Sequence, residues 1–490
     1  MKKREFLKKS GLGALGIAMS STIIMCKDKK ESAEGEEKDV VAKERLRTAH
    51  VGVGGMGMAD LVAITSHDKV DVVALCDVDA NNLAKAKELH PNAKTYSDYR
   101  VMMKEMESDI DAVVVSTPDH THAPASMLAM NMDKAVYCQK PLTHYVSESR
   151  AMNKLAKEKN LVTQMGIQVH SFYDYKLATL LIQSGIIGKV HTVRAWSTKK
   201  WGYDGPEPKG SDPIPETLDW NLWLGTSAKR PYKEGVYHPG NWRKLLDYGC
   251  GTLGDMGVHI FDTPYNALEL DVPKTILNEC RKPTGFGFPE NNIVTYEFPQ
   301  TKYTAESLKW VWYDGPGAPA MHEDMLLPGA DEANPDTSSN TKEASMEDKM
   351  SLEAKTAEAG KLPDQGAMFI GEKGRLLLPH FMMLPQKIVD GKYVDISAEI
   401  AAVEQANNMG KPIRDYASEG PKHYHQFVDA CLGKDECTAP FSYASRLTET
   451  ILLGVIAGRF PNKTLNWDSK NAKFAEAEVN ALLEAPYRAF

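Results

Sequence analysis

Residues 47–57, RTAHVGVGGMG, decide the fold of the first half of this chain. Arg47 to Val53 alternates β-forming residues, which predicts a strand, and this strand runs directly into a glycine-rich turn. A second apolar strand, VDVVALC over Val70 to Cys76, ends at Asp77, twenty positions after Gly57. A strand, a glycine-rich turn, a helix and an acid at this distance predict a Rossmann dinucleotide-binding unit.

The turn residues have separate roles in holding a dinucleotide. Gly52 allows the tight turn, Gly54 lets main-chain N–H groups approach a pyrophosphate, and Gly57 permits close packing of helix on strand. The helix N-terminus then faces the phosphates, and Asp77 accepts hydrogen bonds from the adenosine ribose. No arginine follows Asp77 in VDANN (78–82), so we expect NAD rather than NADP. The predicted cofactor contacts here are Gly52, Gly54, Gly55, Met56, Gly57 and Asp77.

Alternating strands and helices continue to residue 168. Asp111 to Ser116 is a predicted strand followed by TPDHTH (117–122), and Ala135 to Cys138 is another, followed by Gln139-Lys140-Pro141. Loops at the carboxyl ends of such strands line the cofactor crevice. The two histidines of the first loop could suggest a metal, but no third ligand is placed by spacing, so we expect none. The predicted cofactor contacts in this loop are Ser116, Thr117, Pro118 and His122.

Beyond residue 190 the pattern changes to strands with few helices between them. The strand-like stretches are 190–197, 293–299, 307–313, 367–372 and 374–380. Runs of strands after a βαβ half predict an α+β domain built on a mostly antiparallel open sheet. We therefore expect a Rossmann domain over 46–168 and a substrate and oligomerisation domain over 169–490, with a polar insertion near 327–365.

One helix of the second half begins with glycines and carries three polar side chains. The stretch GCGTLGDMGVHIFD (249–262) places Asp255 and His259 four residues apart and Asp262 three residues further on. This spacing predicts that all three share one helical face. An imidazole flanked by carboxylates is oriented and made more basic, as a general base requires. The alternative is a polar cluster bonded to the core.

Together these motifs resemble those of the Gfo/Idh/MocA family of NAD(P)-dependent oxidoreductases. The resemblance rests on the glycine-rich turn, the Thr117-Pro118 loop with His122, Lys140-Pro141, and the helix from Asp255 to His259. It extends over residues 47–490, and FSYASRLTETILLGVIAGRF (441–460) is similar to the C-terminal helix of exported Bacteroidetes-type members.

The resemblance implies that Lys140, Asp255 and His259 are catalytic. As hydride leaves a carbinol carbon, His259 can take the hydroxyl proton and Lys140 can stabilise the developing alkoxide. Gln139 replaces the usual Glu of the family. Its neutral amide can still bond the nicotinamide ribose or orient Lys140. Gln168 resembles a family position near the nicotinamide.

A loop-rich stretch before this helix supplies candidate substrate residues. Aromatic faces pack on the C–H surfaces of sugars, and arginine binds hydroxyls or carboxylates. Aromatic residues are also ordinary core residues. The candidates are Trp201, Tyr203, His238, Trp242 and Arg243, together with Asp255 and His259.

The N-terminal residues 1–45 have the layout of an export signal followed by a flexible tether. A cationic start precedes an apolar run that is too short for a membrane span. KREFLK (3–8) resembles a twin-arginine motif, and IIMC (23–26) resembles a lipoprotein cleavage box. We therefore expect a periplasmic or membrane-anchored lipoprotein with Cys26 as the lipid anchor. A fortuitous amphiphilic tail is the alternative.

Length and composition exclude several classes of protein. A chain of 490 residues suits two or three domains, and 42% hydrophobic with 25% charged residues is typical of a globular protein. The net charge of −8 argues against a nucleic-acid-binding protein, because such proteins usually carry an excess of positive charge.

The resemblance therefore leaves three functional hypotheses. The first is an exported NAD-dependent oxidoreductase of a sugar, cyclitol or glycoside, with tightly bound cofactor because no free NAD pool is expected outside the cytoplasm. The second is a redox-neutral, NAD-dependent glycosidase or lyase acting through a transient keto-sugar. The third is a non-catalytic sugar-binding lipoprotein, against which the intact catalytic set argues. Family members often pair through the exposed sheet, which implies a homo-oligomer.

Overall fold

The computed structural model describes residues 44–329, 360–410, 412 and 415–490. The predicted export signal, Cys26 and nearly all of the tether lie outside the described residues, as does most of the predicted polar insertion. Within the described residues, no helix combines the length and the apolar character needed to cross a membrane.

The first half of the described chain alternates strands and helices. They are β1 (Leu46–Val51), α1 (Met56–Thr65), β2 (Val70–Cys76), α2 (Ala80–Leu89), β3 (Lys94–Tyr96), α3 (Tyr99–Glu105), β4 (Ala112–Val115), α4 (Asp119–Asn131), β5 (Ala135–Gln139), α5 (Val146–Glu158) and β6 (Thr163–Gly166). All strand pairs are parallel, in the order β3-β2-β1-β4-β5-β6. The order reverses between β1 and β4, which is where Rossmann folds bind dinucleotides. The predicted Rossmann fold is confirmed.

The second half contains a ten-stranded sheet and its covering helices. They are α6 (Tyr173–Gln183), β7 (Val190–Ser197), α7 (Trp220–Leu224), α8 (Val258–Ala267), β8 (Thr275–Glu279), β9 (Asn292–Pro299), β10 (Thr304–Asp314), β11 (Gln365–Gly371), β12 (Gly374–Pro379), β13 (Gln386–Val389), β14 (Lys392–Val394), α9 (Ser397–Asn407), α10 (Tyr416–Cys431), α11 (Phe441–Ala457), β15 (Leu465–Asp468) and β16 (Lys473–Phe474). The strand order is β14-β13-β12-β11-β7-β10-β9-β8-β15-β16. Only β7 and β10 pair in parallel in this described sheet, so the mostly antiparallel α+β prediction is confirmed.

Strand β10 is apolar on both faces near its end, because both faces of the sheet are covered there. Successive side chains of a strand point to opposite faces. Trp310 and Trp312 pack on Phe261 of α8, with ring centroids 4.2 and 5.7 Å from it. Val311 and Tyr313 belong to a second buried cluster on the opposite face. Helix α8, which carries the candidate catalytic residue His259, is therefore packed firmly on the sheet.

Helix α10 returns from the second half of the chain to pack on the Rossmann sheet. Tyr424 stacks on Tyr137 of β5 at 5.2 Å between ring centroids, and Phe427 meets the same ring edge-on at 5.7 Å. All three rings are buried in one apolar cluster with residues of β1 and β4. This packing brings the hydroxyl of Tyr424 to the loops that follow the parallel strands.

Residues 214–248, which we call the aromatic segment, pack around their own core beside the Rossmann sheet. Trp220 and Trp223 of α7 are stacked 4.7 Å apart, and further buried aromatic rings surround them. Main-chain hydrogen bonds join the segment to the turn between β2 and α2: Asp219 donates to Val78 at 2.9 Å, and Ala80 donates to Thr217 at 2.8 Å. The segment therefore borders the adenosine side of the predicted cofactor crevice.

Candidate active site

The glycine-rich turn has the shape that a dinucleotide requires. Gly52 has φ +83°, and a Cβ there would lie 2.6 Å from the carbonyl oxygen of Ser116. A Cβ on Gly57 would lie 2.1 Å from the oxygen of Gly52, so helix and strand touch. Helix α1 then begins at Met56 with no side chain capping its first N–H groups among the described residues. These N–H groups can donate hydrogen bonds to a pyrophosphate. The glycine-rich turn and the start of α1 therefore fit a dinucleotide.

Asp77 lies at the carboxyl end of β2, as predicted, and it also braces the turn. Its two carboxylate oxygens accept hydrogen bonds from the N–H groups of Val53 and Asp79, each at 2.9 Å. It lines a cleft of about 730 Å³ whose other wall is the aromatic segment. The half-buried carboxylate borders a space large enough for an adenosine.

The TPDHTH loop is held in place by its two buried histidines. The ring nitrogens of His122 lie 2.8 Å from the carbonyl oxygens of Thr117 and Pro141. The Nε2 atom of His120 lies 3.0 Å from the carbonyl oxygen of Trp223 in the aromatic segment. Burial lowers the pKa of both imidazoles to about 4, so both are neutral at physiological pH. These rings join loops, and the described residues contain no group of side chains arranged to bind a metal.

Gln139 and Gln168 both contribute to a buried polar network. The Gln139 amide donates to both carboxylate oxygens of Asp60 at 2.9 Å, and the Gln168 amide donates to the Tyr424 hydroxyl at 2.6 Å. Tyr424 in turn donates to Asp60 at 2.7 Å. Asp60 and Tyr424 were missed by sequence reasoning.

Lys140, Asp255 and Arg243 form one compact charged cluster. The Nζ atom of Lys140 lies 2.9 Å from Oδ1 of Asp255, and Nε of Arg243 lies 3.2 Å from the same oxygen. Burial alone would raise the pKa of Asp255, but the positive charges of Lys140 and Arg243 outweigh it and hold that pKa well below its ordinary value. Two cations thus share one carboxylate, which leaves positive charge available to a developing alkoxide.

The predicted flanking of His259 by two carboxylates is not seen as hydrogen bonds: in the described part of the chain Nδ1 of His259 has no partner. Burial lowers the pKa of the imidazole, and the negative charge of Asp255 acts on the ring and opposes that lowering. Residues Leu253–Gly257 form a π-helical turn before α8, so Asp255 and His259 are not related by ordinary helical spacing. Asp255 faces Lys140 instead. Asp262 accepts from the Tyr443 hydroxyl at 2.7 Å and lies 3.0 Å from Nδ1 of His170.

His259 nevertheless remains a candidate proton acceptor beside Lys140. Burial, followed by the positive charge of Lys140, lowers its pKa well below the ordinary value, so the imidazole is neutral. Its Nδ1 atom is buried without a hydrogen-bond partner in the described part of the chain. The ring of His380, which follows β12, lies 6.2 Å away between centroids and was also missed.

The candidate substrate residues separate into two groups. Arg243 lies over the rings of Trp242 and Trp201, at 4.3 and 5.6 Å from their centroids, so these three side chains adjoin the charged cluster. His238 instead lies 3.4 Å from Asp79 at the start of α2, and the Tyr203 hydroxyl donates to the carbonyl of Pro206. The structure therefore places His238 beside the start of α2 rather than in the charged cluster, and its role at the substrate stays a prediction. The Tyr203 hydroxyl bonds its own loop rather than the cluster.

Asp119 is a further buried carboxyl near this cluster. Burial raises its pKa to about 7, against the opposing charges of Arg243 and Lys140. It is the first residue of α4 and bonds the thiol of Cys250. The sequence motif contained it, but nothing local distinguished it from an ordinary helix-starting Asp.

Comparison with known families identifies the class of protein. Residues 46–167 match the family described as "Oxidoreductase family, NAD-binding Rossmann fold", and residues 174–279 match "Oxidoreductase family, C-terminal alpha/beta domain". The chain belongs to this Gfo/Idh/MocA family of oxidoreductases. The first match confirms NAD as the predicted cofactor.

Several curated relatives share part of the chain. It is 26% identical over 166 residues to a levoglucosan dehydrogenase of Pseudarthrobacter phenanthrenivorans, covering 34% of each protein. It is 28% identical over 201 residues to an inositol 2-dehydrogenase of Salmonella typhimurium, covering 40% of this chain and 58% of that protein. A glycosyl hydrolase family 109 protein of Shewanella pealeana is 25% identical over 202 residues, covering 39% of this chain and 44% of that protein. The chain thus matches less than two thirds of the length of each of these relatives.

A solved structure of a levoglucosan dehydrogenase in complex with NADH and levoglucosan has the same fold. The two chains are 15% identical with a TM-score of 0.56, and the match covers 86% of this chain and 99% of the other.

Proposed function

We propose that the chain is an NAD-dependent oxidoreductase that transfers hydride between a hydroxyl-bearing carbon of a sugar, cyclitol or glycoside and a tightly held cofactor. The observation that carries this proposal is the cluster of Lys140, Asp255 and Arg243 beside neutral His259. The cluster follows the carboxyl end of β5, next to the glycine-rich turn of a Rossmann fold.

Each side chain has a task in oxidising an alcohol. A nicotinamide cofactor held by the glycine-rich turn would supply the hydride acceptor, and the hydroxyl must lose its proton as the carbinol carbon is oxidised. Neutral His259 accepts that proton, and the ammonium group of Lys140 stabilises the negative charge on oxygen. Arg243, held between Trp201 and Trp242, donates to a neighbouring hydroxyl or carboxylate and fixes the ring. Asp255 keeps both cations in place and offsets part of their repulsion.

The aromatic segment supports tight retention of the cofactor. It forms the outer wall of the cleft at Asp77 and is bonded through its main chain to the β2–α2 turn. Arg488 holds the same segment from behind, donating to the carbonyl oxygens of Gly225 at 2.7 Å and Ser227 at 2.9 Å. We infer that contacts with this wall slow the dissociation of an adenosine.

A redox-neutral glycosidase or lyase is the second candidate, favoured by the similarity to a glycosyl hydrolase family 109 protein. In that reaction the hydroxyl is oxidised to a ketone, the acidified neighbouring C–H loses its proton, and the aglycone leaves by elimination. Water adds, and the hydride returns from the cofactor to the ketone. The same Lys140 and His259 would serve the oxidation step.

The deciding experiment is an absorbance scan of the purified protein at 340 nm with a panel of sugars, inositols and aryl glycosides. A stable signal of reduced nicotinamide on a sugar or inositol supports the dehydrogenase. Aglycone release without net reduction supports the redox-neutral reaction. Binding of sugars with neither signal, in protein that contains NAD, would contradict both catalytic proposals.

We also propose export and a lipid anchor at Cys26, supported by the sequence of residues 1–26. Mass spectrometry of membrane-extracted protein tests this, because a peptide that begins at Cys26 and carries a diacylglyceryl group requires both lipidation and cleavage. We further propose that the protein forms a homo-oligomer through the ten-stranded sheet. On the outer face of that sheet, Met325 and Leu327 already cover the β7–β11 region, so a partner would contact the part around exposed Lys309 and Glu297. Light scattering of wild type and Lys309→Glu tests it.

A further inference from the structure

Asp60 is a fully buried carboxylate beneath the loops that follow β4 and β5. It lies in the second turn of α1 with no exposed surface. Side chains from three other elements donate to it: Ser116 after β4 at 2.6 Å, Gln139 at the end of β5 at 2.9 Å, and Tyr424 of α10 at 2.7 Å. Burying a carboxylate is costly unless such donors surround it.

The donors to Asp60 include residues that were predicted to contact the cofactor. Ser116 and Gln139 donate directly, and Gln168 donates to Tyr424 at 2.6 Å. A Cβ on Gly166 of β6 would lie 2.8 Å from the Gln139 amide nitrogen, so the space for this amide depends on glycine. The orientation of the amide is therefore set by both shape and hydrogen bonding.

We propose that Asp60 is a positioning residue for the nicotinamide half of the NAD site, and that Gln139 replaces the family's usual glutamate because Asp60 already supplies the carboxylate. The neutral amide can donate to Asp60, whereas the substitution Gln139→Glu would place two carboxylates against each other without a donor between them. Like charges at such a distance cannot both ionise at low cost. This inference rests on the NAD site of the proposed function, but not on any substrate.

The titratable groups around Asp60 determine which charges a second carboxylate at position 139 would meet. The other titratable groups that interact with Asp60 are Lys140, Tyr137, Cys138, Tyr416 and Tyr424. Among these groups only Lys140 carries a charge at neutral pH, and its Nζ is already bonded to Asp255. The carboxylate introduced by Gln139→Glu would therefore share a proton with Asp60 rather than find a cation.

The test is a double-mutant cycle measured by NAD binding. Full-length wild type, Asp60→Asn, Gln139→Glu and the double variant are stripped of nucleotide and titrated with NAD by calorimetry at pH 8. We expect Gln139→Glu to weaken NAD binding by about tenfold or more and the double variant to recover to within about threefold of wild type, since coupled neighbours are strongly non-additive. We also expect the Gln139→Glu defect to shrink towards pH 5.5, where the two carboxyls hold one proton between them.

The control is Gln164→Glu, a buried carboxylate introduced in β6 at a side chain that bonds the main chain of His423 and Ala439 rather than Asp60. Adding Asp60→Asn should not rescue any loss caused by this variant. The proposal is overturned if the losses of NAD affinity in Asp60→Asn and Gln139→Glu multiply in the double variant. It is also overturned if Asp60→Asn rescues NAD binding by the Gln164→Glu variant equally well. Thermal unfolding of every variant separates loss of fold from loss of binding. Because NAD binding is measured without a sugar, failure to find a substrate would affect the proposed function and leave this result intact.

Discussion

Lys140 donates to Asp255 twice, once to its carboxylate and once to its main-chain carbonyl, each at 2.9 Å. Lys140 directly follows strand β5 of the Rossmann sheet, and Asp255 lies in a π-helical turn beside the ten-stranded sheet. This pair therefore joins the cofactor-binding half of the chain to the half that carries the candidate substrate residues. Its side chains are only 13% and 12% exposed, so the contact is strong enough to fix the position of the ammonium group.

Replacing Lys140 with Met should lower kcat by about two to four orders of magnitude while NAD still binds, because the developing alkoxide loses its cation. Steady-state kinetics on the sugar found in the absorbance scan measures kcat, and calorimetry measures NAD binding. Lys154→Met, an exposed lysine whose side chain is 75% accessible, is the matched control. A Lys140→Met variant with wild-type kcat would remove Lys140 from the mechanism.

Replacing His259 with Gln should cause a loss of similar size, about two to four orders of magnitude, because the amide keeps polarity but accepts no proton at neutral pH. The defect should lessen as pH rises, since hydroxide can then remove the substrate proton. His191→Gln, on the exposed side of β7, is the control. If the pH–rate profile of the variant parallels that of wild type, His259 is not the base.

The cofactor site should prefer NAD over NADP by at least about a hundredfold in dissociation constant. A 2′-phosphate would approach the half-buried Asp77 carboxylate, and like-charge repulsion there is worth several kcal/mol. Arg230 lines the same cleft, but Asp247 at 2.5 Å and Glu207 already pair with it. Titration of nucleotide-free protein with NAD and with NADP measures the ratio of the two dissociation constants. Equal affinities would contradict the preference for NAD.

Replacing Arg488 with Ala should accelerate NAD dissociation by about tenfold without changing the fold, because the aromatic segment loses several charge-assisted hydrogen bonds to its carbonyl groups. Stopped-flow chase of bound NADH measures the dissociation rate. Arg281 is the matched control, since it donates to the carbonyls of Tyr203, Gly287 and Phe288, all outside residues 214–248. If Arg281→Ala accelerates NADH dissociation equally, the effect of Arg488→Ala comes from a general loosening of the structure and not from the aromatic segment.

The sequence was sufficient to predict the parallel strands and the loops that follow them. Apolar β-rich runs such as Val70–Cys76 and Val190–Ser197 form strands at the expected positions. Parallel topology then places the loops after β4 and β5 together, so the neighbourhood of Lys140 followed from chain order alone.

Two features of the site depended on information that local sequence lacks. The π-helical turn at Leu253–Gly257 adds a residue to one turn, which changes the direction of Asp255 relative to His259 and cannot be read from spacing. Tyr424 is 364 residues from Asp60, so their hydrogen bond exists only because α10 packs back onto the Rossmann sheet.

The free energy of unfolding should fall as pH rises from 6 to 8, and the ionisation of Asp314 should account for a measurable part of that decrease. This carboxyl is buried in β10, and burial raises its pKa to about 7 despite donors from Asn292 and Trp312. The folded state therefore holds a proton that the unfolded chain has already lost above pH 4, so the stabilisation is complete below pH 4 and is lost as pH passes through about 7. Between pH 5 and 8 the loss is on the order of 2 kcal/mol.

Denaturant unfolding of wild type and Asp314→Asn at pH 5, 6, 7 and 8 measures this share. Asn does not titrate, so the variant should lose less stability than wild type across the range, even if it is less stable at pH 5 through weaker acceptance from Trp312. Asp68→Asn, with a side chain that is 81% exposed, should follow the wild-type profile because its carboxyl is solvated in both states. Wild type and Asp314→Asn with parallel profiles would show that Asp314 is ionised throughout, and the buried donors would then outweigh the cost of its burial.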